Sequence, residues 1–88
     1  QPEAVVLDVR TEEEFESGYI PNAKNIDLRM GPGFIEQINT LDKNKPYYVY
    51  CRSGARSAQA VQLMRDLGFK ETYNLLGGIL EWEGEVIE

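Results

Sequence analysis

Residues 51–57, with the sequence Cys-Arg-Ser-Gly-Ala-Arg-Ser, combine the residue types from which a nucleophilic anion site can be built. They follow residues 47–50, a run of aromatic and β-branched side chains that predicts a strand, and a helix is expected from about Ala55. The backbone N–H groups in the first turn of a helix have no partner within it and bind anions. Helix N-termini and neighbouring cations lower the pKa of a cysteine from about 8.5 to roughly 3.5–7.5. We therefore predict that Cys51 is an activated thiolate and the catalytic nucleophile.

The other residues of this segment are expected to bind the substrate. Gly54 allows a close backbone approach that a side chain would block, and Arg56 with Ser57 is placed to fix the loop or to meet the anion. Arg52 is expected either to attract an anionic substrate at the mouth of the pocket or to be a solvated loop arginine. The predicted substrate-binding residues are Arg52, Ser53, Gly54, Ala55, Arg56 and Ser57.

Asp8 and Arg10 lie at the end of the first predicted strand and are expected to give structural support. Arg56 is expected to brace the loop through a carboxylate, and Asp8 is one candidate partner. For Asp8 and Arg10 themselves, a structural ion pair near a helix start is favoured over direct chemistry.

The composition excludes several classes of function. A single cysteine and no histidine leave neither an intrachain disulfide nor a zinc cluster, and they rule out Ser-His and Cys-His hydrolases. We expect no metal and no cofactor. The net charge of -6 argues against nucleic acid or an anionic membrane as the main partner, although a local cluster of donors can still bind a small anion. No apolar stretch approaches the roughly 20 residues that span a bilayer, and no signal peptide is visible.

The remaining pattern predicts helices between short strands. Strands are expected at residues 4–7, 24–26, 47–50 and 71–75. Thr11 and Glu14 form a capping box for a short first helix, and Gly68 and Phe69 are expected to end the helix that begins near Ala55. Helical spacing also marks residues 34–41, and a last short helix is expected from residue 77. This alternation indicates βαβ units, with Phe15 and Trp82 in the core and Tyr47, Tyr48 and Tyr50 in sheet packing.

Three separate motifs, in order along the chain, resemble the rhodanese family. Residues 51–57 resemble its active-site loop. Leu-Asp-Val-Arg at 7–10, Glu-Phe at 14–15 and Gly-Tyr-Ile-Pro-Asn-Ala-Lys-Asn-Ile at 18–26 are similar to its N-terminal signature. Leu-Gly-Gly at 76–78 with Trp82 resembles its C-terminal signature. The chain has Tyr19 where the family commonly has His and Asn22 where it has Gly. The family usually has an extra helical segment before the first strand, and here that segment is expected to be either missing or trimmed.

The resemblance implies both a fold and a reaction. The fold would be α/β, a small mostly parallel five-stranded sheet with helices on both faces, in one rhodanese-like domain over residues 1–88. The reaction would be thiosulfate sulfurtransfer: Cys51 takes a sulfur from thiosulfate or a similar donor, forms a persulfide, and passes the sulfur to cyanide or a thiol. The implied partners are these small molecules or a protein persulfide, and a monomer is expected.

Two alternatives remain open. Four residues separate Cys51 from Arg56, whereas the related cell-cycle phosphatases and arsenate reductases place five there, so phosphatase or arsenate reductase chemistry is disfavoured. The second alternative is a persulfide relay or a partner-binding module of a larger protein. The intact loop argues against a module that has lost its chemistry.

Overall fold

The computed structural model describes residues 4–88, which alternate between strands and helices. The four strands are β1 (Val5–Asp8), β2 (Lys24–Asn25), β3 (Pro46–Tyr50) and β4 (Glu71–Asn74). The α-helices are α1 (Glu12–Glu16), α2 (Pro32–Ile38) and α3 (Ala55–Asp66), and two 3-10 helices occupy Leu28–Met30 and Gly78–Glu81. No helix in this part of the chain is both long and apolar enough to cross a membrane.

The strands form one parallel sheet in the order β2-β1-β3-β4. The predicted α/β class and parallel sheet are confirmed, but residues 4–88 form four strands rather than the five that the resemblance implied. In the central pair, Leu7 lies opposite Val49 and Asp8 opposite Tyr50. Because all strands run the same way, their carboxyl ends share one edge of the sheet, and Cys51 follows β3 at that edge.

The hydrophobic core lies on one face of the sheet, beneath α2 and α3. Alternate residues of β1 and β3 point to this face because successive side chains of a strand point to opposite sides. They pack against helix residues at 3.6-residue spacing, and the buried cluster includes Leu7, Val49, Phe34, Ile38, Ala60 and Met64.

The opposite face of the sheet is less completely covered. Tyr48 stacks on Tyr73, and both rings stay over two-fifths exposed, while Tyr50 is buried. The prediction that Trp82 belongs to the core is wrong. Its side chain is 37% exposed, because it follows the last 3-10 helix and its Nε1 donates to the Glu85 carbonyl at the surface.

Local signals at the helix ends are confirmed. Thr11 Oγ1 accepts from the Glu14 backbone N–H, while Glu14 Oε1 accepts from the Thr11 backbone N–H, as a capping box requires. At the end of α3, the N–H of Gly68 donates to the Arg65 carbonyl and that of Phe69 to the Met64 carbonyl. This is a Schellman motif, and Gly68 adopts its positive φ of 98°.

Candidate active site

Cys51 lies at the bottom of the loop between β3 and α3. Its side chain is only 1% exposed. The strand brings the thiol to the carboxyl edge of the sheet, and the helix begins four residues later, so the loop must turn within residues 51–54. Gly54 makes this turn with a φ of 111°, which other residues rarely adopt.

Hydrogen-bond donors surround the sulfur on the side of the loop and the helix. The backbone N–H of Gly54 donates to Cys51 Sγ at 3.1 Å, and that of Ser57 at 3.3 Å. The Ser57 hydroxyl lies 3.4 Å from the same sulfur. Ser57 is fully buried, so its N–H and hydroxyl lie beside the sulfur without competition from water. The arrangement is a small cradle of donors directed at one sulfur atom.

The cradle makes the Cys51 thiol more acidic than an ordinary cysteine. Burial by itself raises the pKa of the thiol, because it disfavours the charged form. The hydrogen bonds from the Ser57 hydroxyl and from the N–H groups of Ser57, Gly54 and Ser53 act in the opposite direction and outweigh burial. The net effect is a lowered pKa, so the site favours a thiolate without a neighbouring histidine base.

Arg56 is bound to a carboxylate, but the partner is Glu14 rather than Asp8. Arg56 Nη1 donates to Glu14 Oε1 at 2.8 Å and Nη2 to Oε2 at 2.9 Å. The pair connects the first turn of α3 to α1. The Glu14 carboxylate also accepts the Thr11 N–H in the capping box of α1. The same side chain therefore caps α1 and binds Arg56. Arg56 therefore braces the loop from the side of α1.

Arg56 does not pair with Asp8, because the Asp8 carboxylate is already bound by Arg10. Arg10 Nη2 donates to Asp8 Oδ2 at 2.7 Å and to the Gly18 carbonyl at 2.7 Å, and Asp8 is fully buried. Asp8 and Arg10 thus form a buried ion pair that fixes the chain around the end of β1. It lies beside Tyr50, whose ring centroid is 5.5 Å from the guanidinium carbon of Arg10.

The C-terminal segment fastens the other side of the loop. The Cys51 carbonyl accepts from the N–H of Ile79 at 3.0 Å, and the Arg52 carbonyl accepts from that of Leu80 at 3.1 Å. Gly78 makes this close approach possible, because a Cβ at that position would lie 2.4 Å from the Arg52 carbonyl oxygen and 2.6 Å from that of Cys51. These two carbonyls are therefore held by the C-terminal 3-10 helix, while the N–H groups of Gly54 and Ser57 reach the sulfur.

The remaining loop residues lie at the surface. Arg52, Ser53 and Ala55 are exposed, and Arg52 forms no ion pair with a carboxylate among residues 4–88. A groove of about 870 Å³ between α2 and α3 is lined by Arg56 but not by Cys51. The sulfur therefore lies in its own cradle, apart from this groove.

The arrangement matches a known family of domains. The model of the rhodanese-like domain family matches residues 1–85 of the chain. A protein of Bacillus subtilis named putative sulfurtransferase YtwF is 45% identical over 83 residues, which cover 94% of this chain and 77% of that protein. The chain belongs to the rhodanese-like domain family.

Other relatives of this rhodanese-like domain point to the same broad activity. A thiosulfate sulfurtransferase GlpE of Coxiella burnetii is 35% identical over 90% of this chain and 71% of that protein. A rhodanese-related protein from Thermoplasma volcanium has a crystal structure that matches 98% of this chain and 85% of its own, with a TM-score of 0.86 and 34% identity. Sulfurtransferase is therefore the class of activity that the comparisons support.

The relatives differ in how far they extend beyond this rhodanese-like domain. The chain covers 64% of an uncharacterized Bacillus subtilis protein that is 40% identical to it. It covers only 42% of a putative sulfur carrier protein from the same organism, which is 38% identical. The same domain is therefore found within proteins of different lengths.

The sequence pattern alone did not reveal three contributors to the site of this rhodanese-like domain. Glu14 was visible only as a capping residue, although the adjacency of β1 and β3 brings the helices that follow them side by side. Gly78 was visible only as part of a motif, with no indication of what it contacts. Asn74 carried no signal, yet its Oδ1 lies 2.5 Å from the Ser57 hydroxyl.

Proposed function

We propose that this rhodanese-like domain carries sulfane sulfur as a persulfide on Cys51 and transfers it from thiosulfate or a similar donor to cyanide or a thiol. The observation that supports this most is the cradle itself, with Gly54 and Ser57 N–H groups 3.1 and 3.3 Å from the sulfur. Donors fixed in this way stabilise a sulfur anion before the reaction begins.

The proposed transfer has two steps. The Cys51 thiolate attacks the outer sulfur of thiosulfate, a new S–S bond forms, and the old S–S bond breaks with its electron pair leaving on sulfite. The acceptor then attacks the outer sulfur of the persulfide, and the bond to Cys51 breaks with its electron pair returning to the thiolate. Each step exchanges one bond to the transferred sulfur for another, so no external oxidant or reductant is required.

Several features support sulfur transfer over phosphate chemistry. The cradle is directed at a single sulfur atom, and only four residues separate Cys51 from Arg56. Glu14 engages two of the five N–H donors of Arg56, so fewer remain for a tetrahedral oxyanion.

A second candidate is a relay in which another protein delivers or receives the sulfur. The relative named putative sulfur carrier protein, of which the chain covers 42%, favours it.

The experiment is a turnover assay with thiosulfate and cyanide, in which both sulfite and thiocyanate are measured. The proposal predicts equal amounts of the two products from the wild type and neither from Cys51→Ser. A parallel assay with an aryl phosphate should give no phosphate release, and release that depends on Cys51 would favour the phosphatase alternative.

The relay is tested by comparing small donors with a protein persulfide. Slow turnover with thiosulfate together with fast transfer from a protein persulfide would favour the relay. Fast turnover with thiosulfate and cyanide would favour the small-molecule enzyme.

A further inference from the structure

The Ser57 hydroxyl lies close to three possible hydrogen-bond partners but can donate only one proton. Its oxygen lies 2.5 Å from Asn74 Oδ1, 3.1 Å from the Gly54 carbonyl oxygen and 3.4 Å from Cys51 Sγ. A hydroxyl donates one hydrogen bond and accepts two. The direction of that one proton therefore decides whether Ser57 donates to the sulfur or accepts from it.

The orientation of the Asn74 amide determines the direction of the Ser57 proton. Asn74 Nδ2 lies 3.3 Å from the Gly54 carbonyl oxygen, which can only accept, so the amide nitrogen must face Gly54. The amide oxygen then faces Ser57, and this oxygen can also only accept. The Ser57 hydroxyl must consequently donate to Asn74 in the resting site, across the shortest contact that it makes.

The protonated site forms an ordered chain of hydrogen bonds. The Cys51 S–H donates to Ser57, and Ser57 donates to Asn74. When the sulfur is ionised, it accepts hydrogen bonds instead of donating one. The Ser57 hydroxyl can donate to the sulfur only if it gives up its hydrogen bond to Asn74. Cys51, Asn74 and the Gly54 carbonyl thus compete for the one proton of a fully buried hydroxyl, and Asn74 makes the shortest of the three contacts.

We propose that Asn74 is a positioning residue that draws the Ser57 hydroxyl proton away from Cys51 and so restrains the ionisation of the thiol. The same contact leaves the hydroxyl able to turn to the sulfur when negative charge returns to it at the end of sulfur transfer. The consequence for turnover rests on the proposed function, whereas the effect on ionisation does not.

The charged groups around the loop do not reproduce this effect. Arg56 interacts electrostatically with the Cys51 thiolate, but its positive charge is balanced by Glu14. Asp27, the N-cap of the 3-10 helix Leu28–Met30, also interacts electrostatically with Arg56. At the end of β1, Asp8 and Arg10 are paired with each other. On the C-terminal side, Glu81 lies against Gly77. None of them accepts the Ser57 proton, which distinguishes the role of Asn74 from general electrostatics.

The test is a titration of the thiol in the full chain, followed by thiolate absorbance with the titration of Cys51→Ser subtracted. Asn74→Leu removes the nearest acceptor and leaves the Ser57 proton between the neutral Gly54 carbonyl and the charged thiolate, which attracts it more strongly. The pKa of Cys51 should fall by about one unit, which raises the thiolate fraction about tenfold below the pKa. Asn74→Asp keeps an acceptor and adds a negative charge, so it should raise the pKa. If the role of Asn74 were purely structural, both substitutions would shift the pKa of Cys51 in the same direction.

A double-variant comparison isolates the hydroxyl. In a Ser57→Ala background, Asn74→Leu should leave the pKa of Cys51 unchanged, because no proton remains to be redirected. The proposal is overturned if Asn74→Leu raises the pKa or leaves it unchanged, or if its effect persists without the Ser57 hydroxyl. If Asn74→Leu does not fold, the sign of the Asn74→Asp shift decides, since a lowered or unchanged pKa contradicts the proposal. No sulfur donor is present in these titrations, so a failure of the proposed sulfur transfer would be seen separately.

Discussion

Arg56 and Glu14 are 42 residues apart in the chain and join the first turns of α3 and α1. The guanidinium and the carboxylate face each other with two hydrogen bonds of 2.8 and 2.9 Å, and both side chains are more than two-thirds buried. Arg56 lies in the first turn of α3, directly after the loop that carries Cys51, and Glu14 caps α1. The geometry of the sulfur cradle is therefore tied to a helix on a neighbouring part of the fold.

Glu14→Gln should weaken this connection while preserving the helix cap, because glutamine also completes a capping box. We expect a loss of about 1–2 kcal/mol in the free energy of unfolding, as for a partly buried charge-assisted pair. Sulfur transfer should fall several-fold because the loop is less firmly held. Urea unfolding and turnover measure the two effects. Glu16→Gln, an exposed change on the same helix, should alter neither, and equal losses in both variants would contradict the interpretation.

The same pair predicts a defined pH dependence of stability. The hydrogen bonds from Arg56 lower the pKa of Glu14 to about 2, against the opposing effect of burial. A lowered pKa in the folded state stabilises the protein above the ordinary value of 4.5, and this contribution is lost as the pH falls towards 2. The difference in unfolding free energy between wild type and Glu14→Gln should be constant above pH 4.5 and shrink between 4.5 and about 2. A difference that grew on acidification would contradict it.

Gly78→Ala should disturb the cradle from the C-terminal side. The new Cβ would collide with the carbonyls of Cys51 and Arg52, so the loop must shift. We expect sulfur transfer to fall at least about tenfold and the pKa of Cys51 to rise, as amide donors misplaced at a reacting centre cost that order of rate. Turnover and thiol titration measure both effects.

Gly68→Ala is the matched control for Gly78→Ala. Both glycines have a positive φ, so both variants lose stability by roughly 1–3 kcal/mol of backbone strain. At Gly68, however, the nearest atom to a new Cβ is a Lys43 side-chain carbon 4.0 Å away. The control should therefore keep its activity per folded molecule. Equal loss of activity in the two variants would show that strain, rather than contact with the loop, explains the result.

Arg52→Glu tests whether the exposed arginine recruits anionic donors. Reversal of its charge should raise the KM for thiosulfate by several-fold, with little effect on unfolding, because Arg52 has no ionic partner among residues 4–88. Lys70→Glu changes the net charge equally but lies before β4, at the opposite end of the strands. The two variants are compared over a range of ionic strengths. A KM unchanged by Arg52→Glu would identify Arg52 as a solvated surface residue.

Local features of the fold could be predicted because each depends on a few adjacent residues. The capping box of α1 and the Schellman motif at Gly68 need only sequence-local hydrogen bonds, and both are present as expected. The order of strands and helices followed from hydrophobic patterns in the same way. The placement of Trp82 failed because an indole in an apolar-looking segment was assigned to the core, whereas the short 3-10 helix leaves it at the surface.

The contacts that shape the site could be predicted only in part, because they join distant residues. Arg56 was expected to bind a carboxylate, but the choice between Asp8 and Glu14 depends on which acid is already neutralised. Asp8 forms an ion pair with Arg10, two residues away, and Arg56 pairs with Glu14 instead. Asn74 gave no signal at all, because its role appears only once β4 lies beside β3 and its side chain reaches Ser57.

The most direct test of the account is intact-protein mass spectrometry before and after incubation with thiosulfate, with the modified peptide identified. Cys51 is the only cysteine of the chain, so the site of a covalent change is unambiguous. We predict the addition of one sulfur's mass on Cys51, release of one equivalent of sulfite, and return to the original mass on addition of cyanide. Cys51→Ser should show none of these changes. A wild-type protein that gained no mass and released no sulfite would contradict the proposal that Cys51 accepts sulfur from thiosulfate.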